Sequence, residues 1–366
     1  MNHLERIVAA ITKQKPDRVP VTPLSINRSL RVLGYTTRTV LYDPEKMAAG
    51  KIAAAEVFDD DAVVAGTDLF VESEVLGSKV EVYEHVPVVV DYAIKEKSDL
   101  AKLRVPEAAE AGRMPVVTRE IELLKQHYGD TTVVVPVTCG PLTMASQLFG
   151  PEQLLIEMIE DPEWVHRLLR ICTDTALLYW RAIIDAGAHA IVALEPLSSG
   201  TIISPEQYGE FVAPYCRELF ELANEHQRVP VNHVCGDTEP LIDQMASIGS
   251  PLLQLDYPIS MKRAKELVGD QVCIAGNLNP VEYMLYKSPA EIYWKCREII
   301  AEAAGGSGFI LGAGCDLNPR TPTENILAMV QAAKDTVYND DLTVEFVRES
   351  YLPPEVKAPR KTAVAA

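Results

Sequence analysis

Long apolar runs are missing from this sequence, and so is any surplus of basic residues. No stretch comes near the roughly 20 apolar residues that a membrane-spanning helix needs, so a soluble protein without a membrane partner is expected. Lysine and arginine number 34 against 52 acidic residues, a formal net charge of −18. A surface of that sign repels phosphate backbones and anionic lipid headgroups, which argues against nucleic-acid and membrane partners. Internal repeats and low-complexity blocks are also absent, and with them tandem architectures. Cysteines are odd in number, seven spread along the chain, and the N-terminus has no signal-peptide pattern. Free thiols in a reducing, cytoplasmic compartment are expected rather than a disulfide framework.

What is present is ample core-forming material, 48% hydrophobic residues in 366. A chain of this size buries roughly three quarters of the surface its unfolded form exposes. Short β-branched runs recur at 19–25, 62–66, 132–138, 190–195, 230–234, 252–256, 272–275 and 309–312, most of them followed by stretches with helical spacing. That alternation predicts a parallel sheet with helices outside it, and eight repeats favour a closed (β/α)8 TIM barrel over an open sheet. The N-terminal MNHLERIVAAITKQKPDRVP predicts a short amphipathic helix ended by Pro16. Helices are predicted over 205–226, 238–248 and 289–304, with Ser204 and Thr321 at N-cap positions before prolines. Two alternating segments around Leu76, Gly77 and Ser78 predict a β-hairpin near 71–94 decorating the barrel. Residues 1–351 are expected to form a single domain and 352–366 a flexible tail.

Chemistry concentrates in PVNHVCGDTEP, with His233 and Cys235, and in FILGAGCDLNP, with Cys315. Both lie just beyond apolar strands, and in a barrel the loops after the strands gather at one mouth. One imidazole and two thiolates suit zinc. The spacing alone leaves open that these are ordinary buried cysteines. In favour of a site, both cysteines adjoin glycine-containing loops that permit close backbone approach. Cys139, Cys172, Cys216, Cys273 and Cys296 read as core.

Five stretches carry a wider resemblance: HVCGDTEPLIDQM, LLQLDYPISMKRAKELVGDQVCIAGNLNP, GAGCDLNPRTPTENILAMVQAAK, GPLTMASQLFG and AGAHAIVALEPLSSGTIISPEQYGEFVAPY. Over about residues 1 to 337 the sequence resembles the uroporphyrinogen decarboxylase superfamily, more closely its branch of methylcobamide:coenzyme M methyltransferases and related demethylating enzymes. The resemblance implies a distorted TIM barrel with its site at the C-terminal ends of the strands. It also implies zinc on His233, Cys235 and Cys315.

Glu195, ending the strand-like AIVALE, is a candidate exchangeable fourth zinc ligand and catalytic group; capping a loop or pairing with a cation is its alternative role. Asp68, in VVAGTDLFVE, falls where the decarboxylases place a substrate-orienting aspartate, and a solvated loop acid is its alternative. Asn27, Asp256 and Asn277 are expected to bind substrate, against a plain loop and cap role. The decarboxylase's Arg-Gln-Ala-Gly-Arg-Tyr segment is replaced here by Ile26-Asn27-Arg28-Ser29-Leu30-Arg31, which counts against a porphyrin substrate.

The resemblance therefore implies a zinc-dependent methyltransferase. It would exchange a methyl group between a small molecule, a methyl ether such as a methoxylated aromatic or a thiol, and the cobalt of a corrinoid (cobalamin). No Asp-x-His-x-x-Gly motif is present to hold cobalamin, so the corrinoid must come on a separate partner protein. A metal-independent decarboxylase and a non-catalytic module that binds a corrinoid protein stay open as alternatives, and an oligomer is compatible with all three.

Overall fold

The computed structural model describes residues 1–85, 87–107 and 109–359. Eight parallel strands form the central sheet: β1 (Val21–Thr22), β2 (Ala62–Ala65), β3 (Val133–Cys139), β4 (Ala190–Leu194), β5 (Val229–Val234), β6 (Leu252–Leu255), β7 (Cys273–Leu278) and β8 (Phe309–Ala313). Each pairs with its neighbour in sequence from β2 to β8, and β8 pairs with β1. Helices alternate with the strands. The result is a nearly closed (β/α)8 barrel, as the strand pattern predicted.

The one seam without a ladder lies between β1 and β2. It is bridged by Asp61, whose backbone N–H donates to the Val21 carbonyl at 2.9 Å while its Oδ2 accepts from the Val21 N–H at 2.8 Å. β1 is only two residues long because Pro20 and Pro23 flank it and supply no N–H to a ladder. β7 runs further than the apolar pattern suggested, its Gly276, Asn277 and Leu278 continuing in register with Leu311, Gly312 and Ala313.

Strand side chains divide by the period of two into a shell and an interior. Val63, Val134, Ile191, Leu253, Ile274 and Leu311 pack outward under the helices, in the main core. Val64, Val135, Val192, Val231, Ala275 and Ile310 point inward. These inward residues line a cavity of about 220 Å³ on the barrel axis. The N-terminal helix α1 (His3–Ile11) closes that end with Leu4, Ile7, Val8 and Ile11. An Asn2 capping box starts α1, and it ends ahead of Pro16 as expected.

Four expectations need correction. The segment Val71–Val75 is a helix, begun where the Asp68 carboxylate accepts from the Phe70 N–H. Val71 and Val75 fit a helical face as well as a strand, so the period was ambiguous over so short a run. The hairpin strands are Lys79–Val82 and Pro87–Asp91, so the first strand begins after Leu76 to Ser78 and the turn lies beyond Val82. The helix predicted over 205–226 is two, Pro205–Phe211 and Ala213–Glu225, broken at Val212 because Pro214 cannot continue the hydrogen-bond ladder. Ser204 does cap the first of them, but Thr321 caps nothing, since the last helix starts at Thr323.

Residues 352–359 carry no regular element, and the rest of the expected tail lies outside the described residues. Among the described residues no helix is long and apolar enough to cross a membrane.

Candidate metal centre and its pocket

His233 is the fifth residue of β5, in register with Leu194 on one side and Gln254 on the other. Its Nδ1 lies 3.0 Å from the Gln254 carbonyl oxygen. A carbonyl only accepts, so Nδ1 carries the proton and Nε2 presents a lone pair. That Nε2 faces Cys235 Sγ at 3.3 Å. Cys315, two residues past β8, brings its Sγ to 3.7 Å from Cys235 Sγ. The three ligand atoms lie within 4.8 Å of one another, although β6 and β7 separate β5 from β8.

These spacings fit a zinc ion. Zn–S bonds of about 2.3 Å and a Zn–N bond of about 2.0 Å, arranged tetrahedrally, give S–S and S–N edges of about 3.8 and 3.5 Å. Electrostatics treat the two thiols oppositely, the hydrogen bond with Cys315 and burial holding the Cys235 thiol above its usual range. A hydrogen bond from Cys235 pulls the Cys315 thiol well below its usual range, against the opposing effect of burial, and His233 adds to the pull. Burial alone would depress the His233 imidazole, but Cys315 outweighs it and the net shift is upward.

β6 organises the site. Gln254 gives its carbonyl to His233, and its Nε2 donates to the carbonyls of Ala313 and Gly314 at 2.9 and 3.1 Å, tying down the approach to Cys315. Asp256 accepts from the Gly236 N–H at 2.7 Å, immediately after Cys235. Both glycines are required by this crowding. Gly236 is left-handed at φ +78°, and a Cβ there would meet Ser199 Oγ at 2.6 Å. A Cβ on Gly314 would meet Asp256 Oδ1 at 2.5 Å. Asp256 is thus a wedge between the two cysteine loops.

Cys235 and Cys315 also line a pocket of about 460 Å³. Leu24, Leu69, Phe70, Val137 and Leu194 are among its apolar walls. Asn27 lines it, its Nδ2 donating to the Thr67 carbonyl and its Oδ1 accepting from Thr37 Oγ1. Asp68 lines it too, but as half of a bidentate ion pair with Arg113 at 2.6 and 2.9 Å, not as a solvated loop acid.

Three expected site residues are engaged elsewhere. Glu195 is fully buried but outside the metal cluster. It accepts from the Leu142 and Thr143 N–H groups at 3.0 and 2.9 Å and from Thr143 Oγ1 at 2.7 Å. The free N–H groups at the start of helix Pro141–Phe149 compete successfully for a carboxylate at this strand end. Burial pushes its pKa up to about 7 while those N–H groups pull it down. Asp256 and Asn277 do not line the pocket. Asn277 Nδ2 donates to the carbonyls of Asp256 and Ile259 and so steadies the Asp256 wedge.

The sequence reading missed Gln254, Gln147 and His85. Gln254 had a signal, a polar residue inside the apolar run LLQL. Gln147 and His85, both lining the pocket, had none.

The sequence model of the family described as uroporphyrinogen decarboxylase (URO-D) matches residues 2–336. The chain belongs to the uroporphyrinogen decarboxylase family. Within that family it is 28% identical to a methylated-thiol–coenzyme M methyltransferase of Methanosarcina mazei, covering 92% of this chain and 90% of the relative. It is 26% identical to a methylcobamide:CoM methyltransferase of Methanosarcina acetivorans, covering 91% and 98%. A uroporphyrinogen decarboxylase of Syntrophotalea carbinolica is 28% identical, covering 78% and 83%. The solved structure of a methyltransferase from Methanosarcina mazei superposes with a TM-score of 0.84 at 26% identity, covering 91% of this chain and 98% of that one.

Proposed function

We propose that this member of the family is a zinc-dependent methyltransferase. It moves a methyl group between a small molecule, a methyl ether such as a methoxylated aromatic or a thiol, and the cobalt of a corrinoid on a separate protein. One observation carries the reading: His233, Cys235 and Cys315 converge within 4.8 Å at the mouth of the barrel, on the wall of a substrate-sized pocket. The names of the methyltransferase relatives support it.

His233 through Nε2 and the two cysteine sulfurs would hold the zinc. When bound, zinc supplies Lewis-acid stabilisation for a leaving oxygen, or holds a thiol as its thiolate. Gln254 fixes the tautomer and ring orientation of His233, as a carbonyl behind a ligating histidine does. The Asp256 wedge and the Gln254 amide keep the two cysteine loops at their separation. Two thiolates and a neutral imidazole offset the charge of a divalent ion. The apolar walls exclude water from the reacting groups.

In the demethylating direction the carbon–oxygen bond breaks. The methyl would pass to the corrinoid of the partner protein, which would supply the electron pair for the new bond, while the oxygen keeps the bonding pair and later gains a proton. A corrinoid protein would dock over the mouth. Seven free cysteines accord with a reducing cytoplasm.

A decarboxylase reading, supported by the other relatives, gives the imidazole and thiols no task. Metal analysis of protein purified without chelator, followed by mixing with cob(I)alamin and a panel of methyl ethers and methyl thiols, tests the proposal. About one zinc per chain and conversion of the cob(I)alamin spectrum to methylcobalamin are expected. A metal-free protein that decarboxylates a porphyrinogen would sink it.

A further inference from the structure

The barrel interior holds two hollows, one above the other. The pocket at the mouth, about 460 Å³, carries Cys235 and Cys315 on its wall, and the axial cavity, about 220 Å³, lies toward α1. Among the described residues only Leu24 and Leu194 line both. Leu194 is the last inward residue of β4, and Val192 beneath it faces the axial cavity alone. It stands in register with His233. Leu24 follows β1, and its carbonyl accepts at 3.1 Å from the N–H of Leu317, two residues past Cys315. The two leucines therefore form a partition one side chain thick, at the level where His233 and Cys315 are held.

Leu24 holds its place against a backbone penalty. Its φ is +57°, a left-handed conformation that a side chain of this size rarely adopts. Strain of this kind persists only where the surroundings impose it, and here it falls on the boundary between the two hollows. The direction of the chemistry makes that boundary matter. A methyl group handed to a partner over the mouth leaves from the outer end of the substrate, so the rest of the substrate lies deeper and extends toward the leucines. In-line displacement imposes this order on an ether and on a thioether alike.

We infer that Leu24 and Leu194 are specificity-determining residues: they end the substrate pocket and restrict the group left behind by the methyl to a compact, ring-sized one. Methyl ethers and methyl thioethers with an extended apolar chain opposite the methyl are excluded. This rests on the methyl-transfer reading above and narrows its substrate class. The space for a longer substrate already exists beneath the partition. A cavity of about 150 Å³ is enough for a benzene ring, and the axial 220 Å³, lined by Val64, Val135 and Val192 among others, takes a butyl chain once either leucine is trimmed.

The test is calorimetric titration of the zinc-loaded protein with methoxybenzene and (methylthio)benzene, each with and without a 4-butyl chain. Wild type is expected to gain no affinity from the chain. Leu194→Ala and Leu24→Gly should each improve the butyl compound relative to its parent by about tenfold or more, since each methylene newly buried is worth about fourfold. Glycine suits the left-handed backbone at the second site, so Leu24→Gly opens the partition with less loss of stability than alanine would bring. Ile310→Ala is the control. It enlarges the axial cavity from the side, leaves the partition whole, and should change the ratio by less than about twofold. A wild-type preference for the chain equal to that of the variants, no gain in either leucine variant, or an equal gain in Ile310→Ala would overturn the inference. Zinc content and methyl transfer to cob(I)alamin are measured on the same wild-type sample. A zinc-bearing, transferring protein whose variants leave the ratio unchanged refutes the partition alone. A protein that holds no zinc and transfers nothing refutes the methyltransferase reading from which it was drawn.

Discussion

At the N-terminal end of the barrel, Asp61 accepts from Arg6, Arg18, His3 and the Val21 N–H, every one within 3.0 Å. At the opposite mouth, Gln147 and His85 bury polar atoms with no partner, and three candidate metal ligands crowd together. The same eight strands support both ends. One is closed around a carboxylate that is fully paired, and it joins β1 to β2 where no ladder does. The other is held open by bonds made one layer back, at Gln254 and Asp256, so that its innermost groups stay unsatisfied. Stability is thereby concentrated away from the chemistry, a division that barrel enzymes use generally, and substitutions at the two ends should separate the two properties.

The largest effect is expected at the mouth. Cys315→Ser should reduce bound zinc from about one per chain to a small fraction, measured by metal analysis, and should lower methyl transfer by about a thousandfold or more, the loss of several kcal/mol of Lewis-acid stabilisation. Because the fold closes at the other end, the metal-free melting temperature of this variant should match that of metal-free wild type. A collapse of the apo fold would break the comparison.

Asp61→Asn reverses the pattern. It leaves Arg6 and Arg18 facing a neutral amide in a buried position, and should cost about 3 kcal/mol by chemical denaturation. Zinc content and affinity should not change. Although burial raises the Asp61 carboxyl, the hydrogen bond to His3 and the charges of Arg18 and Arg6 bring it down to about 2 from an ordinary 3.8. A depressed carboxylate contributes stability that is complete above 3.8 and disappears as pH falls through 2. The acid limb of the wild-type stability profile between about pH 4 and 2 should therefore flatten in Asp61→Asn.

Gln254→Leu lies between the two. It removes the bonds to the Ala313 and Gly314 carbonyls but keeps the backbone carbonyl behind His233. Zinc affinity should fall about tenfold, the lower end of what outer-layer partners contribute, with kcat of the zinc-saturated protein altered less. An unchanged affinity in a metal-competition titration would mean that the Cys315 loop holds its position without β6.

How much of this the sequence disclosed differs between the two ends. The strands were legible because parallel strands buried on both faces must be apolar throughout. His233, Cys235 and Cys315 were legible as a candidate cluster because side chains beyond strand ends converge in any barrel, and the family resemblance pointed to the same three. Glu195 was open between a zinc ligand and a cap for a physical reason: a carboxylate at a strand end can face the mouth or a helix N-terminus, and only the tertiary arrangement decides. The Asp61 hub went unnoticed. Its partners stand 40 to 58 positions away along the chain, with no local pattern to join them. Gln147 and His85 were invisible because an unpaired polar atom is a property of packing, which a residue's identity does not reveal.

The smallest effect concerns the hollow axis, about 220 Å³ lined by Val64, Val135, Val192 and Ala275 among others. Val192 on β4 points into it, whereas Val134 on β3 points outward into the shell beneath the helices. Val192→Ile adds one methylene where there is room, and burying it is worth about 0.8 kcal/mol before any strain. Val134→Ile adds the same group to a close-packed layer and should cost about 1 kcal/mol or more. Opposite signs in the melting temperatures of the two variants, with unchanged zinc content in both, would establish that the barrel is packed tightly outside and loosely along its axis. Equal destabilisation would mean that the axis closes up in solution, and that α1 is drawn inward to fill it.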